Sequence, residues 1–249
     1  MSIWIVLAGR TATVALGMVG VMIGCSSTDG GSSVTADEAC TQLAAALCDK
    51  IQSCAPTFMQ LGYGDAASCK TRALIECKSG LSAPSTSATP GDTVACATAA
   101  KAATCSQLLD NDSPPACLPK AGTLDDGKPC SEDAQCKSSF CGLDNDKELC
   151  GLCAPKPAAG AKCNKGKCPG GLKCARNDTC AKVVALGGAC DDTKPCASGS
   201  SCFKSVCTKD LAAEGAACDE KLTAAPACDG LSGYICLANK CKLTAFVAE

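Results

Sequence analysis

The chain contains no histidine, and that absence removes the Ser-His-Asp and Cys-His nucleophile pairs together with every histidine-containing zinc site. Large aromatic side chains are nearly as scarce. There are four Phe, two Tyr and one Trp among 249 residues, and the Trp is Trp4, in an N-terminal segment with the character of a removable leader. The formal charge of −2 is carried without a basic run, so a phosphate backbone has no electrostatic footprint and nucleic acid is not an expected partner. Apolar residues make up 47% of the chain, but much of that fraction is Ala and Cys. The material for a conventional core is therefore thin.

Cysteine is abundant instead: 26 residues, roughly a tenth of the chain, above the level at which a disulfide scaffold becomes the leading reading. So many thiols are hard to reconcile with a reducing cytosol, whereas small exported domains use cystines where burial alone cannot offset chain entropy. The expected fold class is small and disulfide-rich: an N-terminal helical, disulfide-bonded bundle followed by a string of cysteine-rich modules built from short β-hairpins and loops.

Residues 3–24 are predominantly apolar, interrupted by Arg10, Thr11 and Thr13, and the part after Arg10 has the length of a signal-peptide hydrophobic region. The segment ends in Met22-Ile23-Gly24-Cys25 and passes at once into Ser26-Ser27-Thr28-Asp29-Gly30-Gly31. This stretch resembles the bacterial lipobox. The resemblance implies diacylglyceryl transfer to the sulfur of Cys25, cleavage after Gly24 and acylation of the new amino group. Residues 1–24 are then a lipoprotein signal peptide and 25–34 a flexible Ser/Gly-rich tether. The expected address is the cell envelope, at the outer membrane or cell surface rather than the inner membrane. Two alternatives stay open. An ordinary secretory signal leaves Cys25 unexplained, and an uncleaved anchor reaches about 20 apolar residues only by including Arg10, a costly charge in hydrocarbon.

Residues 35–120 read as a helical eight-cysteine domain. Thr35-Ala36-Asp37-Glu38 is a capping box, and Cys40, Leu43, Ala44, Leu47, Cys48, Ile51 and Cys54 then share one face at 100° per residue. A second helix is expected from Asp65 to about Lys78, carrying Cys69, Ala73 and Cys77, with Gly80 as its stop. Pro90 at a first helical position, with Thr89 as cap, predicts an Ala-rich helix bearing Cys96. A break near Ala103 lets Cys105 face inward before Cys117. The spacings of these eight cysteines contain no CxxC pair, so four bridges are expected and metal ligation is not.

After residue 120 the phrase Gly-x-x-Cys recurs, beginning at Gly127, Gly160, Gly187 and Gly215, at intervals of 33, 27 and 28 residues. Each opens a four-cysteine unit. The first, residues 124–156, carries Cys130, Cys136, Cys141 and Cys150. The second, 157–183, carries Cys163, Cys168, Cys174 and Cys180. The third, 184–210, carries Cys190, Cys196, Cys202 and Cys207, and the last, 211–243, carries Cys218, Cys228, Cys236 and Cys241. Gly170, Gly171, Gly199 and Gly233 precede third cysteines, where a positive φ would permit a tight turn. Four cysteines allow three pairings, of which the alternating one, first to third and second to fourth, is expected.

Asp126-Gly127-Lys128-Pro129-Cys130, Asp133-Ala134-Gln135-Cys136, Ser139-Phe140-Cys141 and Cys150-Gly151-Leu152-Cys153 resemble the Dickkopf N-terminal type of cysteine-rich repeat, as carried by bacterial cysteine-rich lipoproteins of myxobacterial type. The match is strongest over residues 124–153 and loosest in the last unit. It implies a surface or periplasmic protein and carries no catalytic residue to this chain.

With Cys25 lipidated, one cysteine is left over, and Cys153 is the surplus member of its unit. The sharp reading of Cys150-Gly151-Leu152-Cys153 is a thiol–disulfide redox couple. The bland one places the two cysteines in different structural bridges, and a third leaves Cys153 free or joining two chains in a disulfide-linked dimer. No strand–helix alternation of the kind that houses redox CxxC pairs surrounds the motif. Asp144-Asn145-Asp146 has calcium-like chemistry but lacks the twelve-residue loop pattern. The favoured expectation is a non-enzymatic, membrane-anchored module that binds protein or glycan through its loops, with no catalytic residues, cofactor or metal. The alternatives are a thiol–disulfide oxidoreductase using Cys150 and Cys153, and thiolate metal storage, which requires reduced cysteines.

Overall fold

A computed structural model describes residues 34–143 and 150–244. The leader, the proposed lipid site Cys25, most of the tether and Asp144-Asn145-Asp146 lie outside the described residues. The first half is helical: α1 (Ala36–Cys54), α2 (Pro56–Tyr63), α3 (Ala66–Ser82), α4 (Pro90–Ala102) and α5 (Cys105–Leu109), then a 3₁₀ turn at Pro115–Cys117. The Thr35 side chain accepts from the Glu38 amide while the Glu38 carboxylate accepts from the Thr35 amide, so both halves of the capping box form. These bonds to Thr35 hold the Glu38 carboxyl below its ordinary pKa.

Helix α1 packs against α3 and α4. Its contact with α4 is made by Ala46, Ala97 and Ala100, flanked by Leu43, Leu47 and Cys117. Its contact with α2 and α3 gathers Cys48, Met59 and Cys69 under Ile51, Tyr63 and Ala73. Four bridges lock the bundle: Cys40–Cys77, Cys48–Cys69, Cys54–Cys105 and Cys96–Cys117.

Two details differ from the sequence expectation. Helix α3 does not stop at Gly80 but runs to Ser82, because the effective barrier is Pro84: Ala83 before it is extended at φ −62°, ψ 134°. Helix α2 was not expected at all. Pro56 supplies its pre-set first turn and Gly64, at φ +85°, ends it.

Short antiparallel strands make up the second half. β1 (Pro129–Cys130), β2 (Cys141–Leu143) and β3 (Gly151–Cys153) form a three-stranded sheet in the order β1-β3-β2. Three hairpins follow: β4 (Lys173–Cys174) with β5 (Cys180–Ala181), β6 (Ser200–Phe203) with β7 (Val206–Lys209), and β8 (Tyr234–Leu237) with β9 (Lys240–Leu243). The last two turn through Lys204-Ser205 and Ala238-Asn239, all four residues at positive φ, as a two-residue turn matched to strand twist demands.

One device recurs in all four modules. The glycine that opens Gly-x-x-Cys sits at φ +80° (Gly127), +85° (Gly160), +82° (Gly187) or +78° (Gly215). Its amide donates to the carbonyl of a later cysteine, Cys153, Cys180, Cys207 or Cys241 respectively. That cysteine's own amide donates back to the residue after the glycine, Lys128, Ala161, Gly188 or Ala216. Of the glycines before third cysteines, Gly171, Gly199 and Gly233 have positive φ and Gly170 does not.

The modules do not hang from the helical half as a string. Gln135 Nε2 donates to the Pro84 carbonyl at 2.8 Å, and Asn111 Nδ2 reaches the carbonyls of Cys168, Pro169 and Leu172 at 3.0–3.2 Å. Between the first two modules Lys167 Nζ bonds Asp133 at 2.7 Å and the Cys141 carbonyl at 3.0 Å, above the Phe140 ring.

Candidate functional site

The module cysteines are joined as Cys130–Cys141 and Cys136–Cys153, Cys163–Cys174 and Cys168–Cys180, Cys190–Cys202 and Cys196–Cys207, and Cys218–Cys236 and Cys228–Cys241. The pairing alternates in every module. It also corrects the assignment within the first. Cys153 is not the odd thiol but the partner of Cys136, while Cys150 belongs to no bridge among the described residues and is exposed.

The physical reason is register. Third and fourth cysteines stand directly opposite across each hairpin, as Cys174 opposite Cys180, Cys202 opposite Cys207 and Cys236 opposite Cys241; the residue opposite Cys141 is Cys153. Cys150 is an odd number of residues from Cys153, and the strand exposes Leu152 while burying Gly151 and Cys153. Alternation therefore turns Cys150 outward with Leu152. Gly151 is fixed by packing, since a Cβ there would fall 1.8 Å from the Gly142 carbonyl oxygen. Counting cysteines in chain order misses this. The period-2 pattern and the recurrent glycine-to-cysteine bond identify Cys153.

Cys150 and Cys153 are thus not joined to each other, and the sulfur of Cys153 is committed to Cys136. Among the described cysteines, Cys150 is the one free to join two chains. Bridged sulfurs do crowd together: those of Cys130, Cys136 and Cys153 lie within 4.8 Å of one another, as do three sulfurs in each of the other modules. The crowding arises because the two cystines of a module cross, and each of these sulfurs is bonded to another.

Asp110, just past the end of α5, is the polar centre of the molecule, with 0% of its side chain exposed. Its Oδ1 accepts from Lys173 Nζ at 2.9 Å, the Ser198 amide at 2.8 Å and Ser198 Oγ at 2.6 Å, while Oδ2 accepts from Ser106 Oγ at 2.7 Å. One carboxylate thereby joins the helical half to the second and third modules. Burial pushes its pKa up, but the bonds from Ser198, Lys173 and Ser106 outweigh that and leave it below the ordinary value. No local motif marks Asp110, because Lys173 and Ser198 lie 63 and 88 residues away.

Beside this network a cleft of about 350 Å³ opens between α2 and the third and fourth modules, within the size range of small-molecule sites. Phe58 and Leu61 form one wall, and Leu231 with Ala197 and Gly199 the other; Thr57, Lys173, Ser198, Ser200 and Asp210 contribute the polar groups. Asp210 accepts a hydrogen bond from Ser201. Burial raises its pKa, the Ser201 bond opposes, and the charge of Asp229 raises it further. No local sequence signal marks Thr57 or Asp210.

In the last module Asp219 accepts from the amides of Lys221, Thr223 and Ala224 and from the Thr223 hydroxyl. These bonds order the longer Cys218-to-Cys228 loop and drive the Asp219 carboxyl far below the carboxylate range. No described helix is long and apolar enough to cross a membrane. No protein-family model, curated protein or solved structure matches the chain.

Proposed function

We propose that this protein is an exported lipoprotein without enzymatic activity, held on the membrane of the cell envelope through lipid on Cys25, which presents binding surfaces on a covalently fixed frame. The observation that carries the reading is the pairing of 24 cysteines in twelve bridges, spread over every part of the described chain. Such a framework forms and persists outside a reducing cytosol. Export calls for a leader, and residues 3–24 with Met22-Ile23-Gly24-Cys25 supply one that ends in a lipidatable thiol. Two or three acyl chains, at about 0.8 kcal/mol per buried CH₂, anchor a protein stably. Loops are free to recognise a protein or glycan because the bridges already hold the frame.

An oxidoreductase built on Cys150 and Cys153 gains no support from the geometry, since the two thiols of such a couple must be able to join each other. Thiolate metal storage gains none from sulfurs already joined as cystines.

Fatty-acid labelling in a bacterium that processes lipoproteins tests the anchor. The mature N-terminal peptide is expected to begin at Cys25 with added acyl mass, and Cys25→Ala to abolish both label and membrane retention. An unlabelled chain with its leader intact contradicts the proposal. So does sustained insulin-reducing turnover that is lost in Cys150→Ser.

A further inference from the structure

We propose that the cleft between α2 and the third and fourth modules binds an organic cation: an apolar body lying between Phe58, Leu61 and Leu231, ending in one amine held by the carboxylate of Asp210. This deepens the binding role proposed above by giving that surface a ligand chemistry.

Three observations converge. The first is an uncompensated charge. Lys173 is the cation among the lining residues, but its ammonium is engaged by Asp110 at 2.9 Å and by Ser198 Oγ at 3.1 Å. Asp210 has the Ser201 hydroxyl and no lysine or arginine partner among the described residues. The cleft therefore carries a net negative charge, and a half-buried carboxylate there gains most from a cation that brings its own apolar body.

The second observation is an orphaned hydroxyl. Thr57 is 5% exposed and lines the cleft, yet its Oγ1 has no hydrogen-bond partner. A buried hydroxyl left unmatched costs about 1–3 kcal/mol, and a ligand relieves it only if the Thr57 side chain turns toward the cleft. The third is an open apolar wall. Leu61 is 63% exposed although it stands beside Phe58 on the helix facing the modules. A ligand with an apolar body would cover it.

An aliphatic or aromatic amine matches the charge and covers the apolar wall, and so does a lysine side chain flanked by apolar residues in a peptide. An anion would meet Asp210, and a neutral molecule would leave that charge unmatched.

The test is NMR titration of the oxidised full-length chain in detergent with 2-phenylethylamine, 2-phenylethanol and 3-phenylpropionate, and with the peptide acetyl-Phe-Lys-Leu-amide. The amine is expected to bind at least fivefold more tightly than the alcohol, and the acid not to bind. Shifts should concentrate on the amides of Gly199, Ser200, Asp210 and Leu231. A peptide affinity above that of the amine identifies a protein source for the cation, and the reverse order a free amine. Asp210→Asn should abolish the preference for amine over alcohol. Leu61→Lys, at an exposed position that does not threaten folding, should weaken amine binding about tenfold by placing a tethered cation at the mouth of the cleft.

Equal binding of amine and alcohol overturns the proposal, as does no binding of any probe, or a preference unaffected in both variants. None of these outcomes touches acylation of Cys25, which stands or falls on the labelling experiment.

Discussion

The helical half and the module half solve the same shortage of apolar side chains in different ways. In the helices, backbone hydrogen bonds are satisfied within each element, and alanines allow α1 and α4 close contact. The bridges there join residues 21 to 51 positions apart and tie separate helices into a bundle. In the modules the strands are two to four residues long, too short to persist alone. Their buried clusters are mostly sulfur: Cys130, Cys136, Cys141 and Cys153 under Leu124, and Cys163, Cys168 and Cys180 under Leu172 and Cys174, to which the first module adds the buried Phe140. The cystine braces a core in the first half and is the core in the second.

Removing one long and one short bridge should expose that difference most visibly. In the chain-entropy account, closing the 51-residue separation of Cys54–Cys105 contributes about 4 kcal/mol and the 11-residue separation of Cys163–Cys174 about 3 kcal/mol. Replacing both cysteines of each pair by Ala should therefore lower global stability more for the first. For the second, hydrogen exchange should rise through residues 157–183 while α1 and α4 stay protected. A short-bridge variant that unmasks α1 and α4 equally would erase the distinction between the halves.

A smaller effect is expected at the seam. Asp110→Asn leaves Lys173, 22% exposed, with a weaker partner, and should cost about 2 kcal/mol, below the range for a fully buried pair because water still reaches the ammonium. The sign with pH is fixed. The folded pKa of Asp110 lies below its ordinary value, so its contribution is present above the ordinary carboxylate range and is lost as pH falls through the folded value. Denaturant titrations should therefore separate wild type from variant at neutral pH and converge in acid.

Much of the helical half could be read from residue order. Thr35 and Glu38, and Thr89 with Pro90, are local signals, and the helices start where they point. Helix α2 escaped because eight residues carry too little periodicity, although Pro56 and Gly64 mark its ends. In the modules the repeat and its glycines were legible, but the odd thiol was misplaced. Cys141 stands opposite Cys153 across the sheet, with Cys150 between them in chain order but outside the pairing, so chain order and register diverge there. The Asp110 network and the Asp210 cleft were not legible at all, because each is assembled from segments far apart in sequence.

The smallest expected effect tests the shared turn. Gly187→Ala meets no neighbouring atom, so its cost is the left-handed backbone alone, about 1–2 kcal/mol, read as faster exchange within the third module. Gly230→Ala, equally open but without a positive φ, should be close to neutral.

Non-reducing peptide mapping of the mature protein by mass spectrometry bears most directly on the frame as a set of cystines. It should recover Cys136 linked to Cys153, alternating pairs in all four modules and Cys150 outside all twelve bridges. A Cys150–Cys153 bridge, or thiols free throughout the modules, would contradict the account.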